Sequence, residues 1–151
     1  MPKASVKRLI ECKKNQLIDL VLDIEKYPEF VPFCLSSHVY ERNKEGNLTL
    51  IIADLTIGKG PFKETYKSDV KFNKTDSIIN VTNVGGPLKY LQNNWYFNER
   101  ENGTEISFDI DFEIENKFLN VLMTKSFEFG LNKIADAFQR RAEDLYKPID
   151  N

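Results

Sequence analysis

ISFDIDFEI, residues 106–114, decides the fold. Ile106, Phe108, Ile110, Phe112 and Ile114 alternate with Ser107, Asp109, Asp111 and Glu113, and Glu105 and Glu115 continue the polar set at either end. A period of two is that of a β-strand with one wet face and one apolar face. The same rhythm runs through residues 62–72, where Phe62, Glu64, Tyr66, Ser68, Val70 and Phe72 alternate with Lys63, Thr65, Lys67, Asp69 and Lys71. Turn signals separate such runs at 43–47 (NKEGN), 58–61 (GKGP), 73–76 (NKTD), 85–87 (GGP) and 102–104 (NGT). Short strands punctuated in this way predict an antiparallel meander.

A sheet with one long aromatic face needs a cover. After Asn116, Phe127, Leu131, Ile134, Phe138, Ala142 and Leu145 fall on one helical stripe, with Lys133, Asp136, Arg140, Glu143 and Asp144 largely outside it. At the other end, Ala4 to Glu11 reads as a strand, and Asn15 to Lys26 as a helix carrying Leu17, Leu20, Val21 and Ile24. Tyr27-Pro28 is expected to end that helix, and Pro32 redirects the chain again. The stretch between them, YPEFVPFC (27–34), is unusually apolar for an elbow. The expected architecture is α+β: a strand, a helix with an elbow, about six further antiparallel strands, and a long closing helix across the concave face. A sheet wider than the helix that covers it leaves a gap, and such a gap is the candidate site.

Composition narrows the function. The chain has 151 residues, enough for one domain with a sizeable core. Its net charge of -2 lacks the positive balance of a dedicated nucleic-acid binder, so DNA is not an expected partner. Cys12, Cys34 and the single histidine, His38, have no metal-ligand spacing, and neither a metal nor a disulfide is expected. No run reaches the length of a membrane span, and no leader is evident, so the expected location is cytoplasmic.

Three motifs carry a family resemblance. YPEFVPFC resembles the Y-P-x-F-x-P-x-C elbow of the coenzyme Q-binding and ribosome-association-toxin branch of the START superfamily, also called polyketide-cyclase-like. Gly86-Pro87-Leu88 followed by Leu91, Trp95 and Phe97 resembles that branch's G-P-F-x-x-L-x-x-x-W-x-F strand. Ala137-Phe138, Arg141-Ala142 and Tyr146 resemble its A-F-x-x-R-A-x-x-x-Y closing helix. The likeness spans residues 3–147 and implies a single START-like lipid-binding domain over residues 1–151. The implied fold is the helix-grip fold, a curved antiparallel sheet of about seven strands wrapped around a long C-terminal helix. Leu88 stands where phenylalanine is frequent, Ser36 and His38 where glycine and arginine are, and Lys13 where a capping serine is usual.

The resemblance implies non-catalytic binding and delivery of ubiquinone or a related polyisoprenoid lipid in support of respiration, with bound quinone as ligand and no other cofactor. A second implied function is a toxin that binds a ribosomal subunit and blocks subunit association; a third is a polyketide cyclase or aromatase. Burying each five-carbon unit of a polyisoprenoid tail is worth about 3–4 kcal/mol, so shape outweighs polar chemistry. The expected tail contacts are Leu91, Trp95, Phe97, Phe108, Ile110, Phe127, Leu131, Ile134 and Phe138, with Phe62, Pro87 and Leu88 completing the lining. The competing reading makes all of these ordinary core, since an apolar stripe normally packs on its sheet.

Tyr66 is the expected polar contact, because its hydroxyl can meet a ligand while its ring packs. Glu64, on the same side, needs a partner or solvent. Phe30, Val31, Pro32 and Phe33 are expected to form an exposed lip that touches the inner face of a bacterial membrane transiently. Otherwise they are a proline-fixed loop closing the core. Cys34 is expected to pack, and His38 and the acidic row Asp109, Asp111, Glu113 and Glu115 to be solvated. Lys63, Lys67 and Lys71 form a small basic row. For catalysis the chain offers only Glu64, Tyr66 and His38.

Overall fold

A computed structural model describes residues 3–59, 61–84, 88–114, 117, 120–121 and 127–146. Strand β1 (Lys3–Ile10) is followed by helix α1 (Lys14–Leu22), a 3-10 turn (Ile24–Lys26) and a single helical turn, α2 (Tyr27–Phe30). Then come β2 (Cys34–Glu45), β3 (Leu48–Lys59), β4 (Phe62–Asn73), β5 (Ile78–Asn83), β6 (Leu88–Arg100), β7 (Gly103–Ile114) and the long helix α3 (Phe127–Tyr146). The seven strands make one antiparallel sheet in the order β1-β7-β6-β5-β4-β3-β2. This is the curved sheet and covering helix expected of the helix-grip fold.

The inward rows follow the period of two. Ile106, Phe108 and Phe112 on β7 are buried, as are Ser68 and Val70 on β4. Leu131, Ala135, Phe138 and Ala142 bury the matching face of α3. Ala135 joins this face, and the expected Leu145 is 53% exposed. The stripe advances from Ala142 to the half-buried Tyr146, one turn on, and so leaves Leu145 outside. Arg8 on β1 fixes the crossing of α3 by donating to Asp136 (2.5 Å) and Asn132 (3.1 Å).

The region after β1 departs from expectation. The helix predicted over 15–26 ends at Leu22, and Pro28 opens the next helical turn rather than closing the previous one. A missing N–H costs nothing in a first turn, where no intrahelical acceptor exists. Lys13 serves as the N-cap without a capping side chain; instead its backbone N–H donates to Gln16 Oε1 (3.0 Å). Across the molecule, Gly103 opens β7 at φ +147°, and a Cβ there would lie 2.2 Å from the carbonyl oxygen of Ile10. Only glycine lets the β6–β7 hairpin come this close to the chain leaving β1. Thr104 Oγ1 ties the two together by donating to the carbonyl of Cys12 (2.9 Å).

The elbow is clamped from several sides. Phe30 meets Phe138 edge to face (5.1 Å), and Tyr27 meets the same ring at 5.5 Å. The Tyr27 hydroxyl donates to the carbonyl of Val21, and burial pushes its phenol far up. Arg141 donates to Glu29 (2.8 Å) and lies over the Phe30 ring. Phe33 adopts φ +69°, a conformation costly for a side chain with a Cβ. Its carbonyl accepts from Gly58 N–H (2.9 Å), and its ring lies against Gly130 of α3. Phe30, Val31, Pro32 and Phe33 are therefore half-buried, Phe30 and Phe33 against α3, and are less exposed than the lip expected from sequence.

Phe138→Ala should lower unfolding stability by about 3–5 kcal/mol, measured as a fall in the urea midpoint with unchanged slope. The Glu29 carboxyl is held below its ordinary value, first by the hydrogen bond from Arg141 and then by Lys26. Because the folded value is the lower one, this contribution is present above the unfolded carboxylate range and is lost as pH falls through the folded value. An NMR titration should place the Glu29 midpoint below that of a free glutamate, and Arg141→Gln should move it back up.

Candidate functional site

The expected tail contacts separate into two groups. Trp95, Phe97, Phe108, Leu131 and Phe138 are each 4–6% exposed and belong to one packed core. Trp95 stacks on its cross-strand partner Phe108 (4.5 Å between centroids) and meets Phe138 at 5.2 Å. Trp95 Nε1 donates to Asn93 Oδ1 (2.8 Å), which satisfies the indole. The void between Trp95, Phe108, Ala135 and Phe138 is about 10 Å³. That is no larger than one water needs, so at this end the helix and sheet are closed against each other.

The second group lies at the other end of the concave face. Leu91 and Phe112, paired across β6 and β7, form a separate buried cluster, joined by the half-buried Tyr66, Val81 and Ile110. The floor beside them is built from small and polar residues: Ala53, Ser68 and Asn83 follow one another across β3, β4 and β5. Asn83 Oδ1 accepts from Leu91 N–H (2.9 Å) and so bridges to β6. Burial pushes the Tyr66 phenol well above its ordinary value, as it does the nearby Cys34 thiol, to about 11. Cys34 is buried and packs, as its sequence position suggested. Ile134 is half-buried against the main core. The side chains of Phe62, Leu88 and Phe127, and the whole of Pro87, lie outside the described residues.

The remaining candidates resolve into surface features. His38 pairs with Asp54 and faces the convex side, edge-on to Tyr40 at 4.6 Å, whereas Tyr66 pairs with Leu55 on the concave side. The three groups available for acid–base chemistry are thus not brought together. On the outer acidic row, Asp109 accepts from Asn94, Asp111 accepts from Tyr90 and Glu113 pairs with Lys89. Among the described residues no cluster of carboxylate, histidine and cysteine groups is arranged to hold a metal ion. Lys67 of the basic row covers the ring of Tyr40 (4.7 Å).

A surface cleft of about 840 Å³ opens elsewhere, between residues 11–16, residues 99–104 and Tyr146. Its walls carry Glu11, Lys13, Lys14, Glu99, Arg100 and Glu101, charges of both signs, together with Cys12 and Tyr146. Among the described residues, no helix is long and apolar enough to cross a membrane.

Ser68 was legible from sequence as an inward residue; the polar floor around it was not recognised. The signal was the alternation of Ile79, Val81 and Asn83 on β5, which puts an asparagine on the apolar side.

Similarity to known proteins agrees with this geometry. The ribosome association toxin RatA of Rickettsia prowazekii is 31% identical over 143 residues, covering 93% of this chain and 95% of that protein. The mitochondrial coenzyme Q-binding protein of Dictyostelium discoideum is 32% identical over 135 residues, 87% of this chain and 64% of that protein. Among solved structures, an 18 kDa protein of Caulobacter crescentus superposes with a TM-score of 0.79 at 26% identity, covering 96% of this chain and 98% of that one. An aromatase/cyclase of Streptomyces reaches 0.79 at 10% identity over 99% of this chain and 98% of its own, a likeness of fold alone. Residues 10–139 match the family described as polyketide cyclase / dehydrase and lipid transport, and with those relatives the chain belongs to that family, in its coenzyme Q-binding and ribosome-association-toxin branch of the START superfamily.

Proposed function

We propose that this chain is a non-catalytic binder and carrier of a polyisoprenoid lipid of the ubiquinone type. The observation that carries the reading is the second apolar cluster, Leu91 and Phe112 with Tyr66, Val81 and Ile110, of which only Val81 and Ile110 also touch the packed core around Phe138. Apolar side chains with a few convergent polar groups are what a lipid site requires. The similarity to a protein named for coenzyme Q binding supports the choice of ligand. In this reading Trp95, Phe97, Phe108, Leu131 and Phe138 act chiefly as the wall that ends the site, and Leu91, Ile110 and Tyr66 touch the guest. The separation of His38 from Tyr66 supports a role without catalysis.

A second reading is favoured by a different observation. The relative covering 95% of its own length is named a ribosome association toxin, and the convex face presents Lys63, Lys67 and Lys71 beside the exposed Tyr40. That reading needs no guest in the concave face.

One purification separates the two. An organic extract of the protein, analysed by mass spectrometry, should contain quinone in wild type and little in Leu91→Asn with an intact thermal transition. Quinone-free wild type, together with altered ribosomal subunit profiles on overexpression, would favour the toxin reading.

A further inference from the structure

Ser68 is 2% exposed in the middle of β4, and its Oγ has no hydrogen-bond partner. A hydroxyl removed from water and left unpaired is costly, and an alanine in the same place would carry no such cost. Two positions along the same face stands Tyr66, whose phenol forms no hydrogen bond with any described residue. Neighbouring residues on one strand face lie side by side, so the two free O–H groups share one patch of the floor. Asn83, the next polar group across the sheet, is already engaged through Oδ1 by the backbone of Leu91.

The surroundings define what these donors can meet. The inward positions 51, 53, 55, 57, 64, 66, 68, 70, 72, 79, 81, 83, 91, 93, 110 and 112 carry no cationic side chain; their one acidic residue is the half-buried Glu64, next to Tyr66 on β4. A carboxylate or phosphate placed there would lose its water with no cation to replace it. A carbonyl or ether oxygen needs only a donor. Burial keeps the Tyr66 phenol protonated, and therefore donating, across the physiological range.

We propose that Tyr66 and Ser68 form a hydrogen-bonding anchor for an uncharged, oxygen-bearing head group, so that the site takes neutral lipids and rejects anionic ones. The apolar body of the ligand then lies on Leu91, Ile110 and Phe112. This inference rests on the lipid-binding reading above and adds to it the chemical class of the head and the groups that recognise it.

Trp95 is the only tryptophan, and it sits two inward positions from Leu91 on β6, so its fluorescence can report binding. Wild type, Tyr66→Phe and Ser68→Ala would be titrated with decylubiquinone, oleate and geranylgeranyl diphosphate. Wild type should bind decylubiquinone at least about 10-fold more tightly than either anion, the selectivity expected of an unpaired buried charge. Each variant should lose about 3- to 10-fold of that affinity, as for one hydrogen bond. Ligand-free Ser68→Ala should melt at or above the wild-type temperature, because the orphan hydroxyl is gone. Full affinity in both variants, or anions binding as tightly as the quinone, would overturn the anchor while leaving lipid binding intact. Wild type that binds none of the three would overturn the lipid reading and the anchor with it.

Discussion

The ring of Phe138 is where the fold is tied. Tyr27 and Phe30 approach it from the elbow, Trp95 from the sheet, and all three contacts are tilted or edge-on, at 5.1–5.5 Å between centroids. Such arrangements place the positive edge of one ring on the negative face of another and add to the area buried. Each of the three sequence motifs that mark the family contributes to this cluster. The elbow brings Tyr27 and Phe30, the strand motif Trp95, and the closing helix Phe138 itself. Arg141, one turn on, adds a charged clasp by holding Glu29 and covering Phe30.

That knot has a consequence for function. A helix pinned to one end of a curved sheet cannot cover the whole of it equally. At the Phe138 end the aromatic rings fill the space, and a void of about 10 Å³ remains. At the Leu91–Phe112 end the row across the sheet is Ala53, Ser68 and Asn83, small or polar residues in place of aromatic rings. A packed core does not ordinarily place an unpaired hydroxyl where alanine would serve. In the proposed reading, stability and binding are divided between the two ends of one apolar face.

Much of this was legible in the sequence. Alternation in residues 62–72 and 106–114 gave the strands and the correct inward faces, and the 3.6-residue stripe gave the covering helix. The elbow misled, because Pro28 marks the start of a helical turn as readily as the end of one, and because half-buried aromatics read the same as exposed ones in a linear chain. Leu145 was misplaced by one position of the helical stripe, where the choice between it and Tyr146 depends on where the sheet ends. The division of the inward apolar residues into two clusters was not legible. Trp95 and Leu91 are both large, apolar and inward on β6, and only the position of α3 over the sheet tells them apart.

The central claim is that the guest occupies one end of the concave face and not the other. Methyl-detected NMR of the protein titrated with decylubiquinone tests it most directly. Large shifts at Leu91, Val81 and Ile110, with Leu17, Ile51 and Ile79 unmoved, are the predicted result. Shifts spread over the core methyls around Phe138, or none at all, would contradict the account.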